Sequence, residues 1–235
     1  MHKIIAPFVI FMLCAIPLKA QNQPVVVELF TSQGCSSCPP ADRLLRKLAS
    51  EENIIALSMH VDYWDYLGWK DIFSSSEFTD RQYGYAKTQK KRMVYTPQMM
   101  INGTVGVLGS REREVRNAIR KNRGKEHWAD FQVNEGNAFL KVVEGTRMKG
   151  VAKKMDVKLI RYTPSQKVHV KRGENAGREL NYANIVREVK NIGMWDVNRN
   201  KTFEFDFKKL KDNQKAVILV QHPGFGRIEA AYSIN

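Results

Sequence analysis

The chain has 235 residues, three of them cysteine, and its 38 Lys and Arg outnumber 24 Asp and Glu for a formal net charge of +14. That length suits two modest domains or one large one. The basic residues are dispersed, the densest clusters being Lys90-Lys91-Arg92 and Lys167–Arg172, with no interleaved aromatic platform. The surplus charge therefore reads as a solvated surface, and nucleic acid is not an expected partner.

In chain order, His2 and Lys3 precede an apolar stretch from Ile4 to Ile16, followed by Pro17-Leu18-Lys19-Ala20. The apolar core is too short for a membrane span and fits a cleaved signal segment over residues 1–20, ending at Ala20. Leu13, before Cys14, is not the small residue a lipoprotein site needs. Cleavage takes away Lys3 and Lys19 and no acid, leaving +12, and it leaves Cys35 and Cys38 as the remaining cysteines. Export, periplasmic or secreted, is the expectation, with no stable membrane span after cleavage. In that oxidising compartment a cysteine pair persists as a disulfide unless something reduces it.

Val25–Phe30 reads as a buried strand. Ala41, Leu44, Leu45 and Leu48 fall at helical spacing, so a helix with one apolar face follows. Ile54–Met59 is a second apolar strand, and Ser74–Ser76 caps a helix running through Phe78, Tyr83 and Tyr85. Gln98–Ile101 and Thr104–Leu108 flank Asn102-Gly103, a strong hairpin signal that explains Asn102-Gly103-Thr104 better than the glycosylation sequon it also matches. Ser110 then caps a helix carrying Val115, Ala118 and Ile119. The order is β-α-β-α-β-β-α. Beyond Arg123-Gly124 the pattern is mostly strands: Phe131–Val133, Ala138–Val143, Val157–Tyr162, Val168–Lys171, Ile185–Ile192, Thr202–Phe207 and Ala216–Gln221, with Asn134–Asn137 a turn.

Between the first strand and the first helix lies Gly34-Cys35-Ser36-Ser37-Cys38-Pro39-Pro40. A Cys-x-x-Cys pair at such a junction puts two sulfurs in reach of one another beside helix amide dipoles, which makes one thiol acidic and lets the other resolve a mixed disulfide. This first half resembles the thioredoxin fold. In that fold a cis-proline faces the cysteine pair just before the terminal hairpin, and Tyr95-Thr96-Pro97-Gln98 occupies that slot. An X-Pro bond lowers the cost of the cis form to about 0.5–1 kcal/mol.

Two stretches, Val27 to Asp42 around the cysteines and His60-Val61-Asp62-Tyr63-Trp64-Asp65-Tyr66-Leu67-Gly68-Trp69, look like the secreted thioredoxin-like proteins of the domain of unknown function 1223 family. Gly173-Glu174-Asn175-Ala176-Gly177-Arg178 and Tyr182-Ala183-Asn184-Ile185-Val186 agree, so the resemblance spans essentially the mature chain. It implies an α/β thioredoxin-like domain over residues 21–125, followed by a β-rich, sandwich-like domain over 126–235. Architecture and a site are implied, not a substrate.

Cys35 is the natural nucleophile and Cys38 the resolving thiol, with the helix expected to start near Ser36 or Ser37 so that Pro39 and Pro40 fall in its first turn. Helix amides then favour the Cys35 thiolate. Glu28, an acid in an apolar strand, is a candidate for the buried proton shuttle that thioredoxins carry beneath the disulfide, or else an edge residue paired with a lysine. Thr96-Pro97 is expected to dock a substrate backbone. His60 and the aromatic loop after it either wall the cleft or simply pack. The Gly173–Arg178 segment is expected to reach back to the first domain.

The expected function is thiol–disulfide exchange on protein or peptide thiols with a redox partner, needing no dissociable cofactor and no resident metal. Two other readings compete: a Cu(I)-type metal-handling protein using Cys35, Cys38 and His60, and a non-enzymatic binding module that kept the fold.

Overall fold

The computed structural model describes residues 23–124, 127–134, 137–146, 150–206 and 213–234. The expected signal segment lies outside the described residues. No helix among those described is long and apolar enough to cross a membrane.

β1 (Val25–Thr31) is buried along its whole length. Its residues alternate between two faces, as a pleated strand requires. Val25, Val27 and Leu29 pack with Leu44, Leu45 and Leu48 of α1 (Pro39–Leu48) and with Val115 and Ile119 of α3 (Glu112–Asn122). Val26 and Phe30 face Phe78 and Tyr85 of α2 (Ser76–Thr88). β2 (Ile54–His60) runs parallel to β1, and β3 (Gln98–Ile101) and β4 (Val105–Leu108) form the expected antiparallel hairpin on its other side. At the hairpin turn Asn102 and Gly103 take φ of +46° and +69°, the left-handed pair at the centre of a tight turn closed by the Thr104 N–H donating to the Ile101 carbonyl at 3.0 Å. Asn102 is buried and its Oδ1 accepts from the Val26 N–H at 2.8 Å, so the sequon is used as a turn and a strand clasp.

The second half refines the expectation of a separate sandwich. β7 (Lys154–His169), β8 (Glu179–Asp196), β10 (Lys215–Gln221) and β11 (Ile228–Ile234) join the first half in one eight-stranded sheet, ordered β11-β10-β7-β8-β2-β1-β3-β4. The seam is the parallel pairing of β2 with β8, Ser58 opposite Ile185. Without it, the bare edge of β2 would present unpaired backbone groups. β5 (Ala129–Asn134), β6 (Asn137–Val142) and β9 (Thr202–Asp206) form a three-stranded second layer, whose Trp128, Leu140 and Phe205 pack on Met155, Val157 and Ile218 of the large sheet.

Two expected strands, Val157–Tyr162 and Val168–Lys171, are one strand. Pro164 between them lacks an N–H and breaks the run in sequence, but the register passes over it, from Thr163 opposite Ile185 to Ser165 opposite Ala183. Opposite that proline Asn184 takes φ +48° and donates its side-chain amide to the Ala56 carbonyl of β2 at 2.8 Å. The pattern gave no strand for Ile228–Ile234.

Candidate functional site

α1 starts later than expected. Its N-cap is Cys38, with Pro39 and Pro40 at the first helical positions, so neither Ser36 nor Ser37 caps it. This changes the electrostatics at the cysteines. The two prolines carry no N–H, and the Ala41 and Asp42 amides both turn back to the Cys38 carbonyl, at 2.9 and 3.1 Å. The first turn thus has no spare amide to donate to a Cys35 thiolate, and only the weaker helix macrodipole remains. The Ser37 hydroxyl, 3.4 Å from Cys35 Sγ, is the polar side chain within reach of that sulfur.

Cys35 and Cys38 are joined in a disulfide. Both are sealed, at 1% and 0% exposure. The Cys35 N–H donates to the Ser32 carbonyl and the Cys38 N–H to the Cys35 carbonyl, each at 3.2 Å, so the loop from Ser32 to Cys38 is two successive tight turns.

Beneath the helix start lies a buried polar cluster. Asp42 accepts from the Thr31 hydroxyl at 2.8 Å through Oδ1, and its Oδ2 has no protein partner among the described residues. Burial pushes the Asp42 carboxyl up to about 7, against the pull of His60 and the Thr31 hydrogen bond. His60 follows β1's Thr31 across the parallel ladder and is fully buried, its Nδ1 2.7 Å from Asp71 Oδ2. Burial pushes Asp71 up, but His60 and the amides of Gln33 and Phe73 outweigh it and hold that carboxyl below its usual range. The His60 ring meets Phe73 and Tyr182 edge-on, at centroid distances of 5.2 and 4.7 Å.

The aromatic loop after β2 is a wall of this site. Asp65 and Asp71 fold it: Asp65 accepts from the Asp71 N–H and the Ser74 hydroxyl, at 3.1 and 2.7 Å. Trp69 Nε1 donates to Gln33 Oε1 at 2.8 Å. Trp64 connects the two sequence motifs. Its Nε1 donates to Thr96 Oγ1 at 2.7 Å, and its Cβ lies 3.3 Å from where a Cβ on Gly34 would stand. A glycine beside Cys35 is what lets Trp64 approach. The Thr96–Pro97 bond is cis, Pro97 is buried, and its carbonyl accepts from the Gly109 N–H at 2.9 Å. Trp64 thereby bridges the cysteine loop and the Thr96-Pro97 corner.

Glu28 stands elsewhere. It projects to the α2 side of the sheet, where Oε1 accepts from Arg81 Nε at 2.7 Å and Oε2 from the Tyr85 hydroxyl at 2.5 Å. Gln221 of β10 completes the network, its Nε2 donating to the Tyr85 hydroxyl at 3.1 Å. The expected lysine partner is an arginine, and the acid is central in the sheet, not at its edge. Among the described residues no three His, Cys, Asp or Glu side chains converge as a metal site, and His60 is turned to Asp71.

Sequence reasoning missed three contributors. Asp42 sits four residues after Cys38 on the buried side of α1, a spacing that marks it in hindsight. Asp71 lies in a loop without a pattern. Asn175, in the Gly173–Arg178 segment, is fully buried and its Nδ2 donates to the carbonyls of Gln33 and Cys35, each at 2.9 Å. That segment does reach back to the first half.

Fold and site together define a mixed α/β protein whose disulfide sits at the first strand–helix junction of a large sheet. The chain belongs to a family described as protein of unknown function (DUF1223), whose model matches residues 26–221. It is similar to a curated "Probable Thioredoxin" of Archaeoglobus fulgidus, 30% identical over 105 residues, which cover 44% of this chain and 96% of that protein. An X-ray structure of a protein from Agrobacterium tumefaciens matches with a TM-score of 0.70 and 31% identity, over 92% of this chain and 96% of the other. HBP35 of Porphyromonas gingivalis matches at a TM-score of 0.55 and 13% identity, over 91% of this chain and 75% of that one, a likeness of fold alone.

Proposed function

We propose that this is an exported thiol–disulfide oxidoreductase with a thioredoxin-like core, acting on protein or peptide thiols through Cys35 and Cys38. The observation that carries the reading is the disulfide at the helix start above a buried carboxyl, Asp42, whose proton affinity lies near neutrality. The likeness to a probable thioredoxin supports it.

In the oxidising half-reaction a substrate thiolate attacks Cys35 Sγ, forming a mixed disulfide and breaking the Cys35–Cys38 bond, with Cys38 leaving as a thiolate that takes up a proton. A second substrate thiolate then attacks the substrate sulfur of the mixed disulfide and expels Cys35. Two electrons pass to the protein and the substrate gains a disulfide; the reducing direction is the reverse. Asp42, on the same face of α1 one turn beyond Cys38, is assigned the proton given to or taken from Cys38. A group with a proton affinity near the working pH serves that role best. Glu28, fixed by Arg81 and Tyr85, is assigned to the core network. Trp64 holds Thr96 beside Pro97, the corner where a substrate backbone docks.

The experiment is trapping. A Cys38→Ser variant, exposed to peptide thiols activated as disulfides, should accumulate a mixed disulfide at Cys35, and Cys35→Ser should not. No adduct in either variant would overturn the reading. A second reading has one observation of its own. Cys35 at 1% exposure is what a binding module with a structural disulfide would also show. An unaltered phenotype in a Cys35→Ser, Cys38→Ser double variant favours that module.

A further inference from the structure

A dithiol enzyme whose attacking sulfur is sealed needs a way to uncover it, and the segment between β7 and β8 bonds directly to the loop that carries that sulfur. In that segment Val170 stays in the core, residues 171–174 and 176–178 are exposed, and between those exposed runs Asn175 turns inward and is fully buried. We propose that Gly173–Arg178 is a strap that a substrate must displace to reach the disulfide, and that Asn175 is the positioning residue that latches it. This deepens the oxidoreductase reading and rests on it.

The strap is a unit folded by its own bonds. The Ala176 N–H donates to the Gly173 carbonyl at 3.0 Å and the Arg178 N–H to the Asn175 carbonyl at 3.2 Å. The Gly177 N–H and the Val170 carbonyl are 2.8 Å apart, and the Val170 N–H reaches the Arg178 carbonyl at 3.0 Å. Gly173 and Gly177 take φ of +78° and +79°, which only glycine adopts without strain, so the turn is built into the sequence at both ends. Arg178 Nη1 donates to Asn175 Oδ1 at 3.0 Å and so orients the amide.

Its attachment to the cysteine loop is slight by comparison. Asn175 Nδ2 gives one hydrogen to the Gln33 carbonyl and the other to the Cys35 carbonyl, and the Ser36 N–H donates to Glu174 Oε2 at 3.3 Å. Three hydrogen bonds at the tip of a hairpin can open locally while the sheet stays intact. Opening leaves the Gln33 and Cys35 carbonyls free to accept from water or from a substrate backbone. While the strap is closed, a small thiol in solution meets a buried disulfide. A protein partner able to lift the exposed strap gains access that a small thiol lacks, so the latch selects substrates.

The test reads access to sulfur in the oxidised full-length protein, with tris(2-carboxyethyl)phosphine as the probe and alkylated thiols counted by mass spectrometry. The phosphine attacks one sulfur, the second leaves as thiolate, and water converts the phosphonium to phosphine oxide, so two thiols form per phosphine oxidised. Asn175→Ala should be reduced at least tenfold faster than the natural chain, and Glu174→Ala at least twofold faster. Ile218→Val, which loosens the core under the second layer, should change the rate by less than twofold. Equal rates for Asn175→Ala and the natural chain overturn the strap, as does equal acceleration by Ile218→Val. If Asn175→Ala does not fold, Glu174→Ala decides alone by the same criterion. The probe needs no substrate activity. Acceleration without any peptide adduct at Cys35 would sink the oxidoreductase reading and leave the strap standing, and adducts without acceleration would do the reverse.

Discussion

Asp42→Asn separates a proton-carrying carboxyl from a structural one. The Asp42 carboxyl is pushed up to about 7 from an unfolded value of 3.8. Between those two values the unfolded chain has lost the proton and the folded chain still holds it, so stability falls as pH rises through this window and levels off above it. The gap corresponds to about 4 kcal/mol. Asn removes the titration while keeping an oxygen to accept from the Thr31 hydroxyl. Near pH 4 the variant and the natural chain should have nearly equal stability; near pH 8 the variant should be the more stable, by up to about 4 kcal/mol. Urea unfolding of the oxidised proteins at pH 4, 6 and 8 measures this directly. In the same variant the reduction rate by a peptide dithiol should drop by roughly 10²-fold and lose its inflection near pH 7, as expected for loss of a general acid. A stability difference that does not change with pH would refute the burial argument. An unchanged pH–rate profile would refute the proton role.

Arg81→Met should cost roughly 3–5 kcal/mol in thermal or urea unfolding, because it strands the Glu28 carboxylate in the core. Glu28→Gln should cost less and leave thiol exchange within twofold of the natural rate, since Glu28 is bound to Arg81 and Tyr85; a slowed exchange would return it to the proton path. Trp64→Phe keeps the ring but loses the bond to Thr96, worth about 1 kcal/mol, so the KM for a peptide thiol should rise about fivefold with little change in kcat. Gly103→Ala sets a Cβ 2.6 Å from the Gly226 carbonyl at φ +69°, and should lower the melting temperature by several degrees.

The elements of the first half were legible because their apolar periods are clean: β1, α1, β2 and the Asn102-Gly103 hairpin appear where Val25–Phe30, Leu44–Leu48, Ile54–Met59 and the turn signal put them. The cysteine junction and the Thr96-Pro97 corner were legible for the same reason, as local spacing. What pattern could not carry was anything decided across the chain. That β8 pairs with β2 depends on an edge of the first half being free, and no residue in β8 announces it. That Asp42 lies under the helix start while Glu28 faces α2 depends on which side of the sheet each side chain takes. The prolines hid the true helix start, because Pro is tolerated at the first positions whichever residue caps them.

The second half gains a role from that same pairing. β8 joins the first half's sheet at Ser58 and Ile185, and its start runs over α1 and the end of β2, where Arg46 donates to the Asn181 carbonyl and Tyr182 meets the His60 ring; the β7–β8 hairpin tip thereby reaches the cysteine loop. A companion domain tethered by a linker would bring Asn175 near the disulfide only on average. A shared sheet holds it in one register, close enough for a single amide to bond two carbonyls of the cysteine loop. A hairpin that belongs to the first half's own sheet therefore suits a latch of three hydrogen bonds better than a tethered domain would: the register that sets β8 beside β2 also limits where Asn175 can reach.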